Sequence, residues 1–204
     1  MIEDTMVDPS LQILQQLLVA ATRDASAAMC QWTNGSISLT LDEVREIPLE
    51  DAGGVCNIGG ELLTMVVLNL EGEQGGQLIL AFDEENGRKL AASLLGRQVC
   101  TEPEWTNLEM SALNETGNIL GCAYMNALTR LIDMELVPSP PYFMQDFGAS
   151  VLQQAVMAQA MVSDKVLVCS TKFQCDGEKL DWNVFFVPSQ ELRKTMEDSI
   201  QNAC

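Results

Sequence analysis

Between Thr101 and Ile132 the polar and apolar positions recur at helical spacing. Leu113, Gly117, Leu120, Gly121, Tyr124, Leu128 and Leu131 fall on one side of a helix turning about 100° per residue, and predict a core-facing stripe. Ser111, Glu115, Asn118, Cys122, Met125 and Thr129 fall on the other side. Thr101-Glu-Pro-Glu104 reads as a capping box with proline in the first turn, so the helix is predicted to start there and to span roughly 45 Å at 1.5 Å per residue. An earlier helix, from a Ser10 cap to about Trp32, has Leu11, Leu14, Leu18, Ala21, Ala25 and Ala28 near one stripe and ends at Thr33-Asn34-Gly35.

The remaining elements are shorter. Ser36 to Thr40 alternates as a brief strand, and Glu43 to Gly60 reads as turn-rich. Leu62 to Glu71 and Gln77 to Phe82 are strands, with a hairpin loop over Gly72 to Gly76, and Asp83 caps a helix through about Leu95. After the long helix, Met134 to Val137 is predicted as a strand broken by Pro138, Pro140 and Pro141, and Ser150 to Met161 as helical. Lys165 to Phe173 and Trp182 to Val187 are strands about an Asp176-Gly177 turn, and Ser189 caps a last helix. Residues 1–8 read as a loose acidic tail.

This order occurs twice, and the letters partly repeat. Phe82-Asp-Glu-Glu-Asn-Gly-Arg88 matches Pro188-Ser-Gln-Glu-Leu-Arg193, and helix 10–32 matches 109–131 at an offset near 99. The expectation is one α+β domain over residues 1–204, with pseudo-repeats at about 10–97 and 101–204 whose strands share a sheet.

Composition narrows the chemistry. A formal charge of −18 disfavours nucleic acid and anionic membrane, because phosphate binding needs a clustered positive face. No apolar run approaches the roughly 20 residues of a membrane-spanning helix, and the acidic start is unlike a signal peptide, so a cytoplasmic protein is expected. The chain has no histidine, which removes the commonest general base and the commonest zinc ligand. Its seven cysteines form no C-x-x-C pair and read as reduced, mostly packing residues; Cys122, one turn beyond Asn118, is the one to watch. Catalysis must then rely on carboxylates, amides, hydroxyls or thiols, or on groups brought by a partner.

Glu115 and Asn118 are i and i+3 neighbours, able to reach together into another molecule's pocket. The full pattern is Ser111-x-x-x-Glu115-x-x-Asn118, then twenty-two residues, then Pro141. It resembles the signature of the CheC/CheX/FliY family of chemotaxis phosphatases. The resemblance implies a pseudo-twofold fold with two long helices on a continuous antiparallel sheet. It also implies dephosphorylation of a phosphorylated CheY-like response regulator. In that reading Asn118 orders the attacking water and Glu115 pairs with a lysine of the partner, with Ser111 and Pro141 in support. On the same resemblance the chain itself is expected to bind no cofactor, Mg²⁺ is expected in the regulator, and a CheD-like deamidase is an expected further partner. One departure stands out. The first-half positions matching Glu115 and Asn118 are about Gln16 and Val19, so one motif is present where CheC-type members often carry two. A non-catalytic adaptor binding the regulator or the deamidase is the alternative, and a thiol sensor using Cys122 or Cys204 a third. The contact face should be less negative than the whole.

Overall fold

The computed structural model describes residues 9–48, 51, 62–71, 75–148, 150, 165–175 and 178–201. In chain order the elements are α1 (Pro9–Trp32), β1 (Ile37–Pro48), β2 (Leu62–Asn69), β3 (Gly76–Phe82), α2 (Glu84–Leu95), α3 (Asn107–Ile132), β4 (Tyr142–Phe147), β5 (Lys165–Cys175), β6 (Glu178–Pro188) and α4 (Gln190–Gln201). The strands form one six-stranded antiparallel sheet in the order β1-β5-β6-β3-β2-β4. Read from the other end, the same order results with the halves exchanged, β1 for β4, β2 for β5 and β3 for β6. The central β3–β6 pair, with Ile79 opposite Phe185, joins the halves.

The central strands bury both faces. Val66, Leu68, Leu78, Leu80, Val184 and Phe186 pack under α1 and α3, while Met65, Val67, Ile79, Ala81, Phe185 and Val187 form a second cluster on the opposite face. That is why 62–71 reads as a nearly unbroken apolar run rather than an alternating one. The two long helices lie side by side: Leu14, Leu18, Ala21 and Ala25 of α1 share a core with Leu113, Leu120, Tyr124 and Leu128 of α3. Asp83 caps α2 by accepting from Asn86 N at 2.7 Å, and Ser189 caps α4 by accepting from Leu192 N at 3.1 Å.

Several sequence expectations need correction. The helix α3 starts at Asn107, not beside Thr101, and is about 39 Å long at 1.5 Å per residue. Thr-x-x-Glu occurs twice in this stretch, and the second copy is the one that closes. The Glu109 carboxylate accepts from Thr106 N at 2.9 Å and from its hydroxyl at 2.7 Å, while Thr106 Oγ1 accepts from Glu109 N at 3.3 Å. Glu109 is also buried against Arg88 Nη1 at 3.3 Å, a partner that Glu104, exposed to solvent, does not have. Residues 43–48 are not turn-rich but continue β1, because Glu43 to Pro48 pair with Ser170 to Lys165 after a bulge at Leu41/Glu43.

Residues 134–137 form no strand. Prolines lack the N–H a ladder needs, and the segment meets the sheet through one bridge, Leu70 to Pro138. Helix α1 begins at Pro9, so Ser10 lies inside the first turn rather than capping it; proline suits the first helical position. On α3, Leu131 is exposed and Ile132 takes its place in the core, while Met125 is buried rather than on the outer face. The predicted helix at 150–161, the 176–177 turn and the 1–8 tail lie outside the described residues, apart from Ser150.

Two glycines set how closely α3 rides on β2. A Cβ on Gly117 would lie 2.5 Å from Val66 Cγ1, and one on Gly121 2.6 Å from Leu68 Cδ2. Gly117→Ala should therefore destabilise by about 1–2 kcal/mol, overpacking outweighing the gain in helix propensity. In a Val66→Ala background the same change should cost little or nothing; denaturant titration of the two singles and the double checks the coupling.

Candidate active site

The outer face of α3 and the segment that follows it enclose an open groove of about 710 Å³. Asn107, Met110, Ser111, Asn114, Glu115 and Asn118 line the helix side, and residues 138–143 line the other. Ser111, Glu115, Asn118 and Pro141 all border this one groove, although Pro141 lies in another segment. The far wall is held by β2. Asn69 N donates to Ser139 Oγ at 3.0 Å, Ser139 N donates to Asn69 O at 2.7 Å, and Glu71 N donates to Val137 O at 2.9 Å. Pro141 then delivers the chain into β4, which pairs with β2 from Tyr142/Val67 to Phe147/Leu62. Fixing this strap to the strand beneath α3 sets the width of the groove.

Below the groove, Phe143 meets Trp105 edge-on at 5.3 Å between ring centroids, and the Arg88 guanidinium lies 4.5 Å over the Trp105 ring. The same guanidinium reaches Glu84 and Glu109 at 3.0 and 3.3 Å. The start of α3 and one wall of the groove are thus braced by a single buried cation.

The electrostatics of the groove differ from those of the chain. In a molecule of net charge −18, Glu115 is the one formally charged residue lining it. Glu115 is exposed, and among the described residues no cation pairs with it; the pairs near α3 use Arg88 with Glu109 and Arg130 with Asp24 at 2.5 Å. Ser111 is exposed and Asn118 half-buried, with Asn118 Oδ1 accepting from the Cys122 thiol at 3.7 Å. Thr129, placed on this face by its spacing, instead turns to the end of the helix, where its hydroxyl accepts from Leu136 N at 3.1 Å. A carboxylate without a cation, a carboxamide and a neutral floor can receive a charged group and order a water. Among the described residues, no three Cys, Asp or Glu side chains group to hold a metal ion.

Sequence reasoning did not single out Asn107, Asn114, Tyr142 or Phe143. Asn107 and Asn114 were open to detection, since 107, 111, 114 and 118 follow one helical stripe. Among the described residues, the buried carboxamide oxygen of Asn114 has no hydrogen-bond partner. On α1, Gln16 and Val19 are exposed as well, so the equivalent face has the geometry without a carboxylate or an asparagine amide.

Comparison with known proteins agrees with this architecture. No family model matches the chain. CheC1 of Halobacterium salinarum is 22% identical over 197 residues, covering 96% of this chain and 99% of its own. The CheY-P phosphatase CheC of Bacillus subtilis is 21% identical over 193 residues, 90% of each. Among solved structures, FliY of Thermotoga maritima superposes with a TM-score of 0.72 at 18% identity, over 97% of this chain and 98% of its own. CheX of Borrelia burgdorferi, solved with CheY, beryllofluoride and Mg²⁺, gives 0.56 at 16% identity, over 88% and 99%. The fold is the one shared by FliY and CheX, two pseudosymmetric halves on one sheet. Over nearly its whole length the chain is similar to members of the CheC/CheX/FliY family. No described helix is long and apolar enough to cross a membrane.

Proposed function

We propose that this chain hydrolyses the aspartyl phosphate of a phosphorylated, CheY-like response regulator in the cytoplasm. The observation that carries the reading is Glu115, without a cation among the described residues, beside Asn118 on the rim of an otherwise uncharged groove. The relatives named above support it: one is named a CheY-P phosphatase, and one solved neighbour holds CheY beside a beryllofluoride.

The chemistry suits a protein without histidine. Water attacks phosphorus as the bond from phosphorus to the aspartyl oxygen breaks, the aspartate leaves as carboxylate, and the water gives up a proton as inorganic phosphate forms. Phosphoryl transfer of this kind needs positioning and charge stabilisation more than a strong base. The Asn118 carboxamide, donor and acceptor at once, orders the water. Glu115 takes a lysine of the regulator and fixes the register of α3 across its phosphate site. The regulator supplies the phosphate and its own Mg²⁺. Ser111 and Pro141 shape the groove around this pair.

The test is decay of phosphorylated regulator with the chain at a small fraction of its concentration; faster decay over many turnovers is expected. Binding with unaltered decay would leave the adaptor reading, in which the face engages a regulator or a CheD-like deamidase without turnover. That reading is favoured only by Gln16 and Val19 standing where a second motif would be. Glu115→Gln should raise KM about tenfold or more while kcat stays within about threefold, as expected for loss of one hydrogen bond to a charged group. A kcat loss without a KM change would remove Glu115 from its anchoring role.

A further inference from the structure

The Asn118 carboxamide has two chemically different ends, and ordering a water requires them to face fixed directions. Cys122, one turn along α3 and half-buried, distinguishes the two. Its Sγ lies 3.7 Å from Asn118 Oδ1 with the S–H donating. Among the described residues no second side-chain hydrogen bond to this amide competes with it. The oxygen has two lone pairs; the thiol engages one and leaves the other open. Half a turn of the amide would set its NH₂ against the thiol, donor facing donor, with sulfur a weak acceptor.

We propose that Cys122 is a positioning residue for the phosphatase reaction, holding the Asn118 amide with its oxygen toward the thiol and its NH₂ directed away. This rests on the phosphatase reading of the groove. In the held orientation the open lone pair of Oδ1 accepts one O–H of the attacking water, whose own lone pair stays free to meet phosphorus. The NH₂ donates to a phosphoryl oxygen. With the thiol removed, the amide spends part of its time reversed. The water then meets a donor where it needs an acceptor. Sulfur hydrogen bonds are weak, so the effect is a modest loss of kcat rather than its abolition.

The experiment compares the full chain with Cys122→Ala and Cys122→Ser on phosphorylated regulator, with ¹⁵N NMR of the Asn118 side-chain NH₂ on the same samples. Cys122→Ala is expected to lower kcat about two- to fivefold at unchanged KM and melting temperature, the scale of one weak hydrogen bond, and to broaden or shift the Asn118 NH₂ resonances. Cys122→Ser, which keeps an O–H donor, should recover at least half of the lost kcat. Parental kcat in Cys122→Ala, with unmoved Asn118 resonances, overturns the proposal. So does an equal loss in both variants accompanied by lower melting temperatures, which marks Cys122 as packing. If the parent turns the regulator over and Cys122→Ala matches it, only the role of Cys122 falls. If the parent itself gives no turnover, the phosphatase reading falls and this one with it.

Discussion

Asn118→Ala is expected to slow hydrolysis of phosphorylated regulator by about 10²–10³, some 2.7–4 kcal/mol of transition-state stabilisation, by comparison with removing one preorganised oxyanion-hole donor. Affinity for the regulator should change by no more than about threefold. Asn118 sits on the rim of the groove, and among the described residues its side chain bonds only to the Cys122 thiol and braces no other element. The fold should therefore survive the substitution, with the cost confined to kcat. A matched fall in affinity and rate would mean that Asn118 holds the partner rather than the water. An unaltered rate in an active parent would remove it from the chemistry altogether.

Arg88→Met should be the most destabilising single change near the site. The Arg88 side chain is 7% exposed and that of Glu109 6%, and the pair ties α2 to the first turn of α3. Removing the cation leaves Glu109 charged, buried and without its counter-ion, for which about 3–5 kcal/mol is typical. It also removes the bond from Arg88 Nη2 to Pro103 O at 3.3 Å and the cation above Trp105. The double variant Arg88→Met with Glu109→Gln should recover much of the loss, since glutamine keeps the reciprocal cap with Thr106 and brings no charge. Denaturant unfolding of the two variants decides the matter. A loss under about 1 kcal/mol for the single would mean that the pair contributes little and that the Thr106 cap alone sets the start of α3.

The long helices, the apolar central strands and the line of Ser111, Glu115 and Asn118 were legible because each rests on local periodicity or spacing. The start of α3 was not. Two capping boxes five residues apart satisfy the same local rule, and the choice falls to Arg88, 21 residues before Glu109 and on another helix. The length of β1 was hidden for a similar reason. A bulge at Leu41/Glu43 breaks the alternation, and pairing with β5, 117 to 127 residues later, keeps 43–48 extended. Pro141 is marked in the sequence by the family's spacing pattern, but the physical link is the strap from Val137 to Ser139 bonded to the end of β2. The expectation that the docking face is less negative than the chain fits a groove lined by one carboxylate.

A footprint of the bound regulator tests the central claim most directly. Amide ¹⁵N shifts and hydrogen exchange of this chain would be followed as a regulator loaded with beryllofluoride is added. The account predicts that changes concentrate on 107–118 and 138–143, with the side-chain amide of Asn118 among the largest. Changes centred instead on the Gln16 and Val19 face of α1, with 107–118 unmoved, would contradict it.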